Sequence, residues 1–170
     1  MAATLAVYLD VETDWSRRLT VIGFRSAQTG LVQLVGEQIS RARLMRELPR
    51  GGRLFTYSGH CFDLACIRDQ LNLDLREHFD SFDLRWICQR HGLTGGQKAI
   101  EIHAGVRRKL DGLGGRDAIY LWSRYQKGDE EALQTLLQYN AEDVAGLVAI
   151  RRHLLHVGIL RRAYGAAAAR

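Results

Sequence analysis

The chain has 170 residues, 46% hydrophobic and 25% charged, a balance that supports one sizeable buried core in a single domain. One proline, no long Gly/Ser tract and no internal repeat exclude a linker or a repeat array, and no apolar run approaches the roughly 18 residues of a membrane span. Net charge is +5, from 24 Lys and Arg against 19 Asp and Glu, and such a surface suits a polyanionic partner, of which nucleic acid is the commonest.

In chain order, "TLAVYLDVE", "RLTVIGF" and "GLVQLVG" are rich in Leu, Val, Ile and Tyr and predict three consecutive strands joined as a meander. Asp10 interrupts the first of these apolar stretches before it could act as a secretion signal, so a cytoplasmic location is expected. A helix over about Gln38 to Leu48 follows, with Ile39, Leu44 and Leu48 on one face, and "LPRGGR" breaks the chain before a fourth strand, "LFTYS". "FDLACIRDQLNL" predicts a helix with Phe62, Ala65, Cys66 and Asp69 along one side. "SFDLRWICQRHGL" passes from a short fifth strand, begun near Asp83, into a helix, and "GGQKAIEIHAGV" is a short helix entered through glycines. Beyond the Gly-rich "LDGLGGRD", two helices are expected in "AIYLWSRYQKG" and "DEEALQTLLQYNAEDVAGLVAIRRHLLHVGIL". The order predicts an α/β domain over residues 1–160, a mixed five-stranded sheet flanked by helices, with 161–170 as a frayed tail.

Four acids stand out against this frame. Alternate side chains of a strand share a face, so Asp10 and Glu12 point together while Leu9 and Val11 point the other way. Two like charges side by side are costly unless something positive sits between them. In the last helix Leu136, Tyr139, Asp143, Leu147, Ile150 and Leu154 recur every three or four residues, which puts Asp143 on the apolar, inward stripe. An ion pair with an arginine is one way to tolerate it there; a metal is another. Asp63 sits where the fourth strand meets its helix, either as a helix cap or as a group gathered at the sheet edge. Four converging carboxylates suit hard divalent cations with oxygen ligands. Cys61, Cys66 and Cys88 lack CxxC spacing and read as reduced thiols that act as small buried hydrophobes; the six histidines have no ligand spacing either.

"DVET", the "FD" of "YSGHCFDL", and "YNAED" resemble, in order and spacing, the three motifs of the DEDD 3′-to-5′ exonucleases of the ribonuclease H-like superfamily. Tyr139 lies four positions before Asp143, which is similar to the tyrosine subclass, and "GGQKAIEIHAGV", "LGGRDAIYLW" and "YQKGDEEALQTLLQYNAEDV" look like the YprB-type branch of predicted exonucleases. The likeness covers roughly residues 5 to 155. It implies a metal-dependent 3′-to-5′ exonuclease acting on DNA or RNA. By that likeness Asp10, Glu12, Asp63 and Asp143 bind two Mg²⁺ or Mn²⁺ ions and Tyr139 orients the attacking water. It further implies contacts to a 3′ end from Thr13, with Ser58 and Phe62 at the substrate. Ser58 departs from the pattern, which often has Asn there. Arg107 to Arg116 reads as a lip over the site or a plain connector, and Arg151, Arg152, His153, His156, Arg161 and Arg162 as the wet face of the last helix. The alternative is a nucleic-acid-binding or scaffolding module of the same fold; a further one is a structure-selective endonuclease.

Overall fold

The computed structural model describes residues 5–160; the tail expected over 161–170, with Arg161 and Arg162, lies outside them. β1 (Ala6–Thr13), β2 (Leu19–Ser26) and β3 (Gly30–Val35) pair antiparallel as the expected meander. β4 (Arg53–Thr56) and β5 (Asp80–Asp83) add in parallel on the other side of β1. The order β3-β2-β1-β4-β5 makes a mixed five-stranded sheet with β1 at its centre. The carboxyl ends of β1, β4 and β5 therefore share one edge, the place where open α/β sheets gather ligands.

The sheet separates two apolar layers. Val7, Leu9 and Val11 of β1 pack with Leu44 and Leu48 near α1 (Arg41–Glu47) and with Leu64 and Ile67 of α2 (Asp63–Leu71). On the opposite face Tyr8 packs with Leu84 and Ile87 of α3 (Leu84–Arg90), Ile100 of α4 (Gln97–His103) and Val144, Leu147, Ile150 and Leu154 of α6 (Glu130–His156). A third cluster joins Val21 to Ala118, Leu121 and Trp122 of α5 (Gly115–Tyr125) and to Leu136 and Tyr139 of α6. Helices thus flank both faces, and the odd-even split along β1 is the one its period of two dictates.

Several boundaries and faces differ from the sequence reading, each for a local reason. α1 starts at Arg41 because Ser40 caps it, accepting from Arg43 N, and Gly36–Gln38 forms a separate 3₁₀ turn. α5 starts three residues earlier than expected because the Asp117 side chain accepts from Gly114 N at 2.7 Å. Asp83 closes β5 and caps α3 instead of opening the strand. The buried face of α2 is Asp63, Leu64, Cys66 and Ile67; Asp69 is exposed beside Arg68. Arg151 is not on a wet face: its Nη1 donates to Tyr8 Oη at 3.0 Å and its guanidinium lies 4.9 Å from the centre of the Phe55 ring. No helix among the described residues is long and apolar enough to cross a membrane.

Candidate metal centre

Between the two apolar clusters on the α6 side the sheet turns polar. Tyr8 belongs to one cluster and Val21 to the other, and the even-numbered side chains that follow Tyr8 on β1, Asp10 and Glu12, fall in the gap. α6 crosses the same gap one turn beyond Leu136, where it presents Tyr139, Asn140 and Asp143. Oxygens of Asp10, Glu12 and Asp143 come within 4.8 Å of one another. Strand and helix are 130 residues apart in sequence, yet Asn140 Nδ2 donates to Asp10 Oδ2 at 2.9 Å. Gln33 Nε2 in turn donates to Asn140 Oδ1 at 2.9 Å, which fixes the direction of the amide. Gly23 stands opposite Asp10 in the β1–β2 register, and a Cβ there would lie 1.9 Å from Asn140 Oδ1. Its missing side chain is the space the amide occupies.

Asp63 enters by a different route. β4 pairs with β1 only as far as Tyr8, so the next backbone donors on that edge need other partners. Asp63, the first residue of α2, accepts from Val11 N through Oδ1 at 2.9 Å. It lines the same cleft, of about 350 Å³, together with Asp10, Glu12, Tyr139 and Asp143, but stands outside the tight group of three carboxylates. A larger groove of about 530 Å³ on the other flank of α6 is lined by Ala141, Ala145 and Ala149 and has Glu142 as its one acid. The carboxylates gather in the smaller cleft.

The electrostatics carry the mark of an unbalanced site. Burial first, and then Asp143, Glu12 and Asp63, raise the Asp10 carboxyl well above its ordinary range, and Asn140 only partly offsets this. Glu12 is raised by burial and by Asp143, and its Oε1 is buried with no hydrogen-bond partner. Asp63 is pushed up to about 7 by burial, against the lowering effect of the Val11 amide. Tyr139 is raised by burial and by the surrounding acids, so its hydroxyl keeps its proton. An orphaned buried carboxylate oxygen beside two further carboxylates is a donor set that fits a hard divalent cation.

Asp143 also has the arginine partner that the sequence left open. Arg108 Nη2 donates to Asp143 Oδ1 at 2.6 Å, and the same guanidinium holds Glu101 through Nε and Nη2 at 2.6 Å each. The segment from Arg107 to Arg116 is pinned at Arg108, with Leu110 N donating to Glu142, and it reaches the site: Asp111 to Gly115 line a groove with Tyr139 and Asp143, and Arg116 stands at the cleft wall. Thr13, Ser58 and Phe62 line the cleft as well. Ser58 adopts φ 65°, donates its N–H to Asp83 Oδ1 and accepts from Arg85 Nη1 at 3.2 Å, so its hydroxyl faces a helix α3 residue and not the first strand.

Sequence reasoning did not single out Asn140, Gln97, Glu101 or Arg108. Asn140 had a signal: it stands three residues before Asp143, on the same inward side of the helix. Gln97 and Glu101 had one too, standing four apart on one helix and so on one face; Arg108 has none, because its partners lie across a turn or 35 residues away.

Residues 7–155 match a family model described as the RNase_H superfamily. The fold is also similar to that of the family B DNA polymerase from the hyperthermophilic archaeon Pyrobaculum calidifontis, with a TM-score of 0.68 and 14% identity. That likeness covers 90% of this chain and 25% of the polymerase, so the chain spans a quarter of the protein it matches. A search of curated proteins gives no match. With the family match running from β1 to the end of α6, over a sheet that brings its acids to one edge, the chain belongs to the RNase_H superfamily.

Proposed function

We propose that the chain is a 3′-to-5′ exonuclease of the tyrosine DEDD subclass, in the YprB-type branch, that hydrolyses phosphodiester bonds of DNA or RNA with two Mg²⁺ or Mn²⁺ ions. The observation that carries this reading is the convergence of Asp10, Glu12 and Asp143 within 4.8 Å in a chain of this superfamily. Asp10, Glu12 and Asp143, with Asp63 at the same cleft, would hold the ions. Such ions supply Lewis acidity for in-line phosphoryl displacement. Tyr139, kept protonated, donates a hydrogen bond to the attacking water or to a phosphate oxygen and does not act as the base. Thr13, Ser58 and Phe62 form the walls against which a terminal nucleotide rests, and Arg116 brings a phosphate-seeking charge to the same cleft. The working unit is one domain over residues 1–160, and its free thiols, Cys66 and Cys88 buried as expected but Cys61 exposed, suit the reducing cytoplasm.

The test is release of mononucleotides from 3′-labelled single strands of DNA and of RNA with Mn²⁺. Asp10→Ala and Asp143→Ala should each lower the rate by more than the about 10- to 100-fold that loss of a merely ligand-orienting residue costs. A second reading, a binding or scaffolding module, draws on the Arg108 hydrogen bond that already gives one oxygen of Asp143 a protein partner. It predicts binding to single strands with no metal-dependent release. Cuts in a closed circle would instead indicate an endonuclease.

A further inference from the structure

Arg108 and Glu101 form a buried pair for which the site described above has no evident use. The Arg108 side chain is 7% exposed and that of Glu101 is 2% exposed. Glu101 comes from α4, Arg108 from the connector after it, and Asp143 from α6. Gln97 ties the assembly to the helix backbone, donating through Nε2 to Glu101 Oε1 at 2.9 Å and to the Asp143 carbonyl at 2.7 Å. Gly146, one turn beyond Asp143, makes room for it: a Cβ there would lie 1.8 Å from Glu101 Oε1. Three elements thus accommodate one ion-pair cluster. Buried ionic clusters contribute little to stability relative to apolar packing of the same volume, so the reason for this one is to be found in what it touches.

It touches Asp143 on one oxygen. Among the described residues, the side-chain donors that reach this carboxylate, Arg108 Nη2 and Gln97 Nε2, both go to Oδ1. Oδ2 is left for the cleft. A guanidinium alone would do the same positioning at a cost: its positive charge beside Asp10, Glu12 and Asp143 would oppose entry of cations. Glu101 removes that cost. With two hydrogen bonds it cancels the guanidinium charge, and the four acids keep a charge that two divalent cations can balance.

We propose that Glu101 and Arg108 are a charge-neutral clamp, with Arg108 the positioning residue that aims Asp143 and Glu101 the counter-charge that keeps the site receptive to metal. This rests on the metal-site reading above and adds to it the residues that set metal affinity.

The experiment is a Mn²⁺ titration of the whole chain, followed by the loss of the free-ion electron paramagnetic resonance signal, with kcat and KM measured on the same preparations. Glu101→Gln leaves Arg108 uncompensated, and Mn²⁺ affinity should fall about 10- to 100-fold. The neutral double variant Glu101→Gln/Arg108→Met should recover most of that affinity while kcat stays low and KM is unchanged, because Asp143 is no longer held. If Glu101→Gln does not fold, the double variant, which leaves no uncompensated guanidinium, carries the test through its kcat against its Mn²⁺ affinity. Wild-type affinity in Glu101→Gln, or wild-type kcat in the double variant, overturns the clamp alone. A wild-type chain that takes up no Mn²⁺ overturns the metal site and the clamp with it.

Discussion

Ser58 holds a left-handed backbone at φ 65°, a region that L residues other than Asn and Asp enter at a cost of roughly 1–2 kcal/mol. Its position is fixed by its neighbours: Asp83 takes both the Ser58 and His60 N–H groups, and Arg85 holds the hydroxyl. Strain of this kind persists where the surroundings over-determine the backbone, and functional clefts are where it collects. Asn is at home in this conformation and offers a carbonyl that Arg85 can also reach. Ser58→Asn should therefore raise the free energy of unfolding by on the order of 1 kcal/mol in a urea titration. A decrease would mean that the turn stores no strain that Asn can relieve. The carboxylates around this turn were legible one by one: Asp10 and Glu12 from the strand period, Asp143 from an apolar stripe it interrupts. What the sequence concealed was their partners. That Asp63 caps Val11 depends on β4 ending its pairing at Tyr8, and the length of a neighbouring strand is written nowhere near either residue.

The long helix α6 was the most legible element, since 27 residues give a period many turns in which to repeat. Leu136, Tyr139, Asp143, Leu147, Ile150 and Leu154 are all buried, as the stripe requires. Short helices were less so: nine residues of α2 allow two faces, and Leu64 and Ile67 outweigh the Phe62, Ala65 and Asp69 side that spacing alone favoured. Least legible were glycines that act as holes. Gly146 in the middle of α6 looks like a helix defect, and by propensity alone Gly146→Ala should stabilise by about 1 kcal/mol. The cleft geometry decides otherwise. An added methyl 1.8 Å from Glu101 Oε1 and 2.9 Å from Gln97 Nε2 has no space, because both partners are anchored to Arg108 or to the α6 backbone. Overpacking of that sort costs about 1–3 kcal/mol, more than propensity returns. Gly146→Ala should lower the midpoint of chemical unfolding; a rise would show that Glu101 can leave its place freely.

For the molecule as a whole, the buried acids set how stability depends on pH and on cations together. Asp63 titrates near 3.8 when unfolded and at about 7 in the fold, with burial as the main cause, and Asp10, Glu12 and Asp143 are shifted in the same direction. Between those two values the folded chain binds more protons than the unfolded one, so unfolding free energy falls as pH rises through that window. His60, lowered from 6.5 by burial, acts in the opposite sense, but it is one half-buried ring against four carboxylates. Asp74, lowered to about 2 by Arg76, changes stability only below the window. On the proposed reading, divalent cations would bind the deprotonated acids of the folded chain and stabilise it by mass action, the more so the higher the pH. Thermal unfolding in a chelator should accordingly give a Tm that declines from about pH 4 to about pH 7, and the same series with saturating Mn²⁺ should flatten or reverse the decline. The two curves should converge at the acid end, where protons on the carboxylates would exclude the proposed ions. A Tm that rises with pH in the chelator would mean that these carboxylates are not held against their charge, and that the Arg108 pairing by itself is enough to settle them.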